Sequence, residues 1–152
     1  MRQRTGFTFI EILIVMIIAG IVLAMAMPRL GTATSRSDVR SAKREVAAYL
    51  SRARATAIQQ GREARFVVDG NNIRVIVDNG DGTWAIAADY NVSAETGATL
   101  QASRNVVRFD PRGLAIGNTP FATIVATKNG FRDSVCVIGL GKIDSDQCSL
   151  AN

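Results

Sequence analysis

The chain has 152 residues, 47% of them hydrophobic, which is enough for one domain and too few for two. Its formal net charge is +5, and it contains no histidine, so the commonest general base and the commonest metal ligand are both excluded. A Ser–His pair is thereby ruled out, and there is no CxxC, P-loop or GxGxxG motif, so the pattern offers no catalytic set, no metal set and no cofactor site.

A short basic leader, MRQRTG, opens the chain. An apolar run follows over residues 7–28, interrupted near its start by one acid, Glu11. From residue 12 to residue 27 every position is apolar or glycine. Counted from Phe7, the run supplies about 21 residues, or roughly 30 Å of helix, enough to span a bilayer. The cationic leader would then stay cytoplasmic. The plain alternative is an ordinary secretory signal with Ala24-Met25-Ala26 as a small-x-small cleavage site. The length of the run counts against it. So does Glu11, because an unpaired acid in an inserting helix costs roughly 2–3 kcal/mol and calls for a partner. Gly20 and Pro28 weaken the helix, and the stretch between them is expected to kink or melt locally on packing.

Residues 29–37 are polar and small. Over residues 38–60, Val39, Ala42, Val46, Leu50, Ala53 and Ala57 recur at steps of three and four, a narrow apolar stripe suited to lying on a sheet. Tyr49 flanks the stripe. Arg36, Arg40, Lys43, Arg44, Arg52 and Arg54 cover the other faces and read as a solvated face. Gly61 is a helix stop, so residues 7–60 are expected to form one helix of about 80 Å.

From Arg62 the pattern is β. Strands are expected at 64–69, 73–78, 84–90, 106–109, 121–127 and 134–140, with 91–97 as loop. Asp69-Gly70-Asn71-Asn72 and Lys128-Asn129-Gly130 are the hairpin turns. Asp78-Asn79-Gly80-Asp81-Gly82 invites a calcium reading. Its first, third and fifth positions are Asp78, Gly80 and Gly82, so the ligand pattern fails and a plain turn is expected. Asp69 and Asp110 sit beside turns, where carboxylates bond backbone amides. Cys136 and Cys148, behind an export segment, read as a disulfide contributing roughly 2–3 kcal/mol.

The motif Gly6-Phe7-Thr8-Phe9-Ile10-Glu11, after a basic leader and before a long apolar helix, resembles the class III signal of type IV pilins and type II secretion pseudopilins. In that family a prepilin peptidase cuts after the glycine and methylates the new N-terminal residue. The resemblance therefore implies cleavage after Gly6, N-methylation of Phe7 and an assembly role for Glu11, the fifth mature residue. A freed Phe7 amine neutralised by the Glu11 of a neighbouring subunit is far cheaper to bury than either charge alone, and it would set the axial register. Gly20 and Pro28 also fall where pilin helices carry a glycine and a proline.

Three further features narrow the match: Trp84 after a glycine-rich turn, Phe109-Asp-Pro-Arg-Gly113, and Ser134-Val-Cys-Val-Ile-Gly-Leu-Gly-Lys-Ile143. Together they resemble the GspH/FimT group of minor pilins and pseudopilins, FimU-like proteins among them. The implied fold is α+β, a long N-terminal helix, transmembrane then amphipathic, packed on an antiparallel β-rich domain. The implied parts are a leader (1–6), a transmembrane and filament-core helix (7–28) and a periplasmic globular domain (29–152).

The implied role is that of a processed subunit, not an enzyme, that joins and primes a type IV pilus or a type II secretion pseudopilus. Its partners would be other pilins, the prepilin peptidase, the inner-membrane assembly machinery and inner-membrane lipid. Some members of the group bind DNA through a C-terminal Gly-Arg-x-Arg or Gly-Arg-x-Lys segment. The matching stretch here is Gly141-Lys142-Ile143-Asp144. It keeps one cation, Lys142, and puts an acid where the second should be, which opposes a polyanion. A DNA-binding minor pilin and an exported soluble β-domain remain the alternative readings.

Overall fold

The computed structural model describes residues 8–117, 121–145 and 148, with residues 25–30 described in backbone only. The chain divides into two compact units, Met1–Thr34 and Ser35–Asn152. The helix α1 covers Phe9–Gln60 and is unbroken at Gly20 and Pro28. Its residues up to Thr34 belong to the first unit, and the rest belong to the second.

In the second unit α1 buries the stripe that its periodicity predicts. Val39, Ala42, Val46, Leu50, Ala53 and Ala57 are each no more than 2% exposed. Three of the six, Ala42, Ala53 and Ala57, are small and let the helix lie close to the strands beneath it. After Gly61 the chain forms β1 (Ala64–Asp69), β2 (Asn72–Asp78) and β3 (Trp84–Asn91), then a short helix α2 (Val92–Thr96). Strands β4 (Thr99–Ala102), β5 (Val106–Phe109), β6 (Ala115–Ile116), β7 (Ala122–Lys128), β8 (Phe131–Ile138) and β9 (Lys142–Asp144) complete it.

The strands make two antiparallel sheets, with orders β3-β2-β1-β5-β6 and β4-β7-β8-β9. Alternation puts Ala64, Phe66 and Val68 of β1 and Ile73, Val75 and Val77 of β2 inside, in one core with the helix stripe. Ile124, Ala126, Val135 and Val137 bring the second sheet into that core. The β7–β8 turn takes positive φ at both Asn129 and Gly130, the geometry that an Asn-Gly pair adopts readily.

Four expectations need correction. Residues 91–97, expected as loop, contain α2: the Asn91 side chain accepts the Ala94 N–H, and Gly97 closes the helix in the left-handed region. Strands β4, β6 and β9 were not expected. The hairpin strands sit at Ala122–Lys128 and Phe131–Ile138, so the second starts earlier than the 134–140 span. The helix cations are not simply a solvated face. Lys43 pairs with Asp133 at 2.9 Å, Arg36 lies over the Phe131 ring, and Arg52 donates to the Ala87 carbonyl.

Candidate functional site

Gly6 and Phe7, the expected processing residues, lie outside the described residues, as does the leader. The description begins at Thr8, and there Glu11 acts in a way that sequence reasoning missed. Glu11 N–H donates to Thr8 Oγ1 at 3.3 Å, and Thr8 N–H donates to Glu11 Oε2 at 3.5 Å. This is a Thr-x-x-Glu capping box, in which two backbone donors of the first turn are satisfied reciprocally. The four-residue signature was visible in the sequence.

Beyond the cap, every large apolar side chain described between residues 9 and 23 is at least 42% exposed. So much unpartnered apolar surface marks a segment that is covered by something else. Among the described residues no helix is long and apolar enough to cross a membrane. The side chains of residues 25–28, which the expected span includes, lie outside the description, Pro28 among them.

In the second unit the loops that invited chemistry are used for turns. Asp78 Oδ1 accepts the Gly80 N–H, and Asp81 Oδ1 accepts both the N–H and the hydroxyl of Thr83. The Thr83 hydroxyl, then its N–H, holds the Asp81 carboxyl below its ordinary range. Asp110 is buried and accepts from Leu114 N–H, Arg112 N–H and Arg112 Nε. The Leu114 amide is the largest cause of its lowered pKa. Among the described residues no cluster of three or more potential ligands could hold a metal ion.

Cys136 and Cys148 form a disulfide with their Cα atoms 5.5 Å apart. It ties the chain after β9 back to β8. Lys142, the candidate phosphate contact, donates from Nζ to Asp144 Oδ2 at 3.1 Å. Its charge is thus shared within the same strand, with the acid that the sequence set against DNA binding.

The cross-links that fix the helix on the sheets were not anticipated. Lys128 Nζ donates to Asp38 Oδ2 at 2.7 Å and to the Thr96 carbonyl at 2.6 Å, joining β7, α1 and the end of α2. Asn129 Nδ2 donates to Ser35 Oγ at 3.0 Å beside it. Just before β1 of the first sheet, Glu63 sits between two arginines. Its Oε1 accepts from Arg65 Nε and Arg108 Nε, and its Oε2 from Arg108 Nη2, all at 2.7 Å. The Arg108 bond, partly offset by burial and reinforced by Arg65, lowers its carboxyl from 4.5 to about 2. Arg65 also stacks on Trp84, 3.7 Å from the ring centroid. None of these pairs is close in sequence except Glu63–Arg65, so no local signal announces them.

Comparison with known proteins bears on both units. The family described as Type II transport protein GspH matches residues 42–141. The prokaryotic N-terminal methylation motif matches residues 1–27. The chain is 31% identical over 160 residues to the pilin-like protein PilA1 of Thermus thermophilus, across 91% of this chain and 96% of that one. It is 32% identical over 126 residues to a fimbrial protein of Pseudomonas aeruginosa, across 68% and 81%. In fold it is similar to the crystal structure of the type IV minor pilin FimU of Pseudomonas aeruginosa, with a TM-score of 0.63 and 19% identity. That match covers 75% of this chain and 92% of that one.

Proposed function

The chain belongs to the GspH family of pilin-like proteins, and on that premise we propose that it is a minor subunit of a type IV pilus or a type II secretion pseudopilus, processed at its N-terminus before assembly. Cleavage by a prepilin peptidase after Gly6 exposes Phe7, which is then N-methylated. The apolar segment anchors the unassembled chain in the inner membrane as a single pass, with the β-rich domain on the periplasmic side. The assembly machinery then moves that segment from lipid into the filament core, where other pilins cover it. The protein is a substrate of the processing enzyme and not itself an enzyme.

One observation carries this reading. A capped apolar segment whose described large side chains are all exposed requires a lipid or protein environment, and the single acid in that segment is the third residue of the helix. An acid there is tolerable in lipid only with a donor, and it has one in Thr8 N–H. In the filament the Phe7 amine of a neighbour would compete for the same carboxylate, a charge-assisted bond against a neutral one.

Mass spectrometry of the mature chain tests the proposal. A methylated N-terminal Phe7 is the expected result. A chain beginning at Met27 would identify an ordinary exported domain and overturn it.

A further inference from the structure

The two sheet edges beside α1 are treated differently. On one side the edge strand β3 is closed by the helix: Tyr49 Oη donates to the Asp89 carbonyl at 3.3 Å, and Arg52 Nη2 to the Ala87 carbonyl at 3.2 Å. On the other side β9 ends the second sheet, and among the described residues no strand pairs with it beyond β8. Between α1 and β9 lies an open groove of about 460 Å³, lined by Ser51, Arg54, Ala55 and Ile58 of the helix and Lys142 and Ile143 of the strand.

Arg54 is the unusual member. Its Nε is buried with no hydrogen-bond partner among the described residues. A Cβ on Gly113 would stand 3.1 Å from that nitrogen, and a Cβ on Gly141 3.4 Å from it, so two glycines leave the space that the guanidinium occupies. A buried, unpartnered guanidinium nitrogen carries a desolvation cost that an incoming anion would relieve. The adjoining floor is apolar: Ile58 is 49% exposed, and Ile143 is half-buried.

We infer that this groove receives an extended segment of another pilin-like subunit, which adds as a strand to β9, lays an apolar side chain on Ile58 and brings a carboxylate to Arg54. The strand edge supplies main-chain pairing and the groove supplies side-chain selection, as in other cases of strand addition. Charge complementarity fixes the sign: among the described residues Arg54 Nε has no partner, while Lys142 is half-committed to Asp144 and adds to the same positive field. The source of the segment rests on the filament reading above, whereas the chemistry of the groove does not.

The test uses the full mature chain in detergent micelles, isotope-labelled for NMR, and the peptide acetyl-Thr-Val-Asp-Val-Thr-amide. The expected result is shifts confined to the amides of Lys142, Ile143 and Asp144 and to the Arg54 side chain. Replacing the peptide's Asp by Lys should weaken binding about tenfold or more, the scale of one charge-assisted hydrogen bond. Methylating the peptide's pairing amides should abolish it. Arg54→Gln should reproduce the loss of the acid preference, with the amide spectrum elsewhere unchanged as the control for folding. Absence of shifts at millimolar peptide, or equal binding of the Lys peptide, overturns the inference. So does a thymidine oligonucleotide that shifts the same resonances more strongly than the peptide, which would assign the groove to nucleic acid. Because these readouts do not depend on the N-terminus, a negative result leaves the methyl-Phe7 measurement standing on its own.

Discussion

Arg52 donates from Nη2 to the carbonyl oxygen of Ala87 at 3.2 Å, and Ala87 is the residue that a bulge leaves out of the β2–β3 ladder. The register runs Val75 to Ala88 and then Ile76 to Ile86, skipping the residue between. A bulge leaves polar backbone groups without ladder partners, and it twists an edge strand away from further pairing. The helix supplies the missing donor. Arg52→Ala should cost about 1 kcal/mol in thermal unfolding of the full chain, the net worth of one exposed hydrogen bond. Hydrogen exchange should show the loss concentrated in β3 and absent from β7 and β8.

Lys128 is the second clamp, reaching both Asp38 and the Thr96 carbonyl. Lys128→Met should destabilise the domain by about 1–3 kcal/mol, because it strands a half-buried carboxylate and a helix-end carbonyl together. A double-mutant cycle with Asp38→Asn should return a coupling of about 1 kcal/mol. Additive losses would show that the pair is not coupled.

The Glu63 cluster predicts an acid limb to stability. The carboxyl titrates lower in the folded chain, about 2, than its ordinary 4.5, so the unfolded chain takes up the proton first. Its contribution is whole above the unfolded pKa and is lost as pH falls from there towards the folded value. With solvent screening allowed for, the loss should be about 1–2 kcal/mol. Melting temperatures of wild type and Glu63→Gln should differ at about pH 6 and converge near pH 2.

Glu11 has two separable properties, its capping geometry and its charge. Glu11→Gln keeps a side chain that can complete the capping box with Thr8, whereas Glu11→Ala removes both properties. If the charge neutralises a neighbour's Phe7 amine, both variants should insert in the membrane yet enter filaments poorly, by immunoblot of sheared filaments. Full incorporation of Glu11→Gln would assign the residue to capping alone.

Reduction of Cys136–Cys148 should lower stability by roughly 2–3 kcal/mol, the entropy of a short closed loop. Thermal unfolding with and without reductant measures it. Increased exchange should be confined to β8 and β9, because the bridge joins only the chain following β9 to β8.

Much of the architecture could be read locally. All six residues of the helix stripe are in the core, and strands at 64–69 and 106–109 fall where alternation predicted them. What escaped was short. Ala115–Ile116 and Lys142–Asp144 have too few residues for any period to register, and each exists only because β5 or β8 offers it a ladder. α2 is a single capped turn, whose Asn91 and Gly97 signals also suit a loop.

The sequence by itself determined the anchor-like segment with its one acid, the buried stripe, the β-rich body and the pairing of the two cysteines. Each is written in periodicity or spacing within a short window, where the physics is local burial and chain closure. Only the tertiary structure decided what the cations do. Arg52 seals a bulge, Lys128 clamps two helices, Arg108 holds Glu63, and Arg54 lines the groove beside β9. The partners of the first three lie tens of residues away, and a long charged side chain carries no mark of whether it meets water, a carbonyl or a carboxylate until the fold brings one within reach.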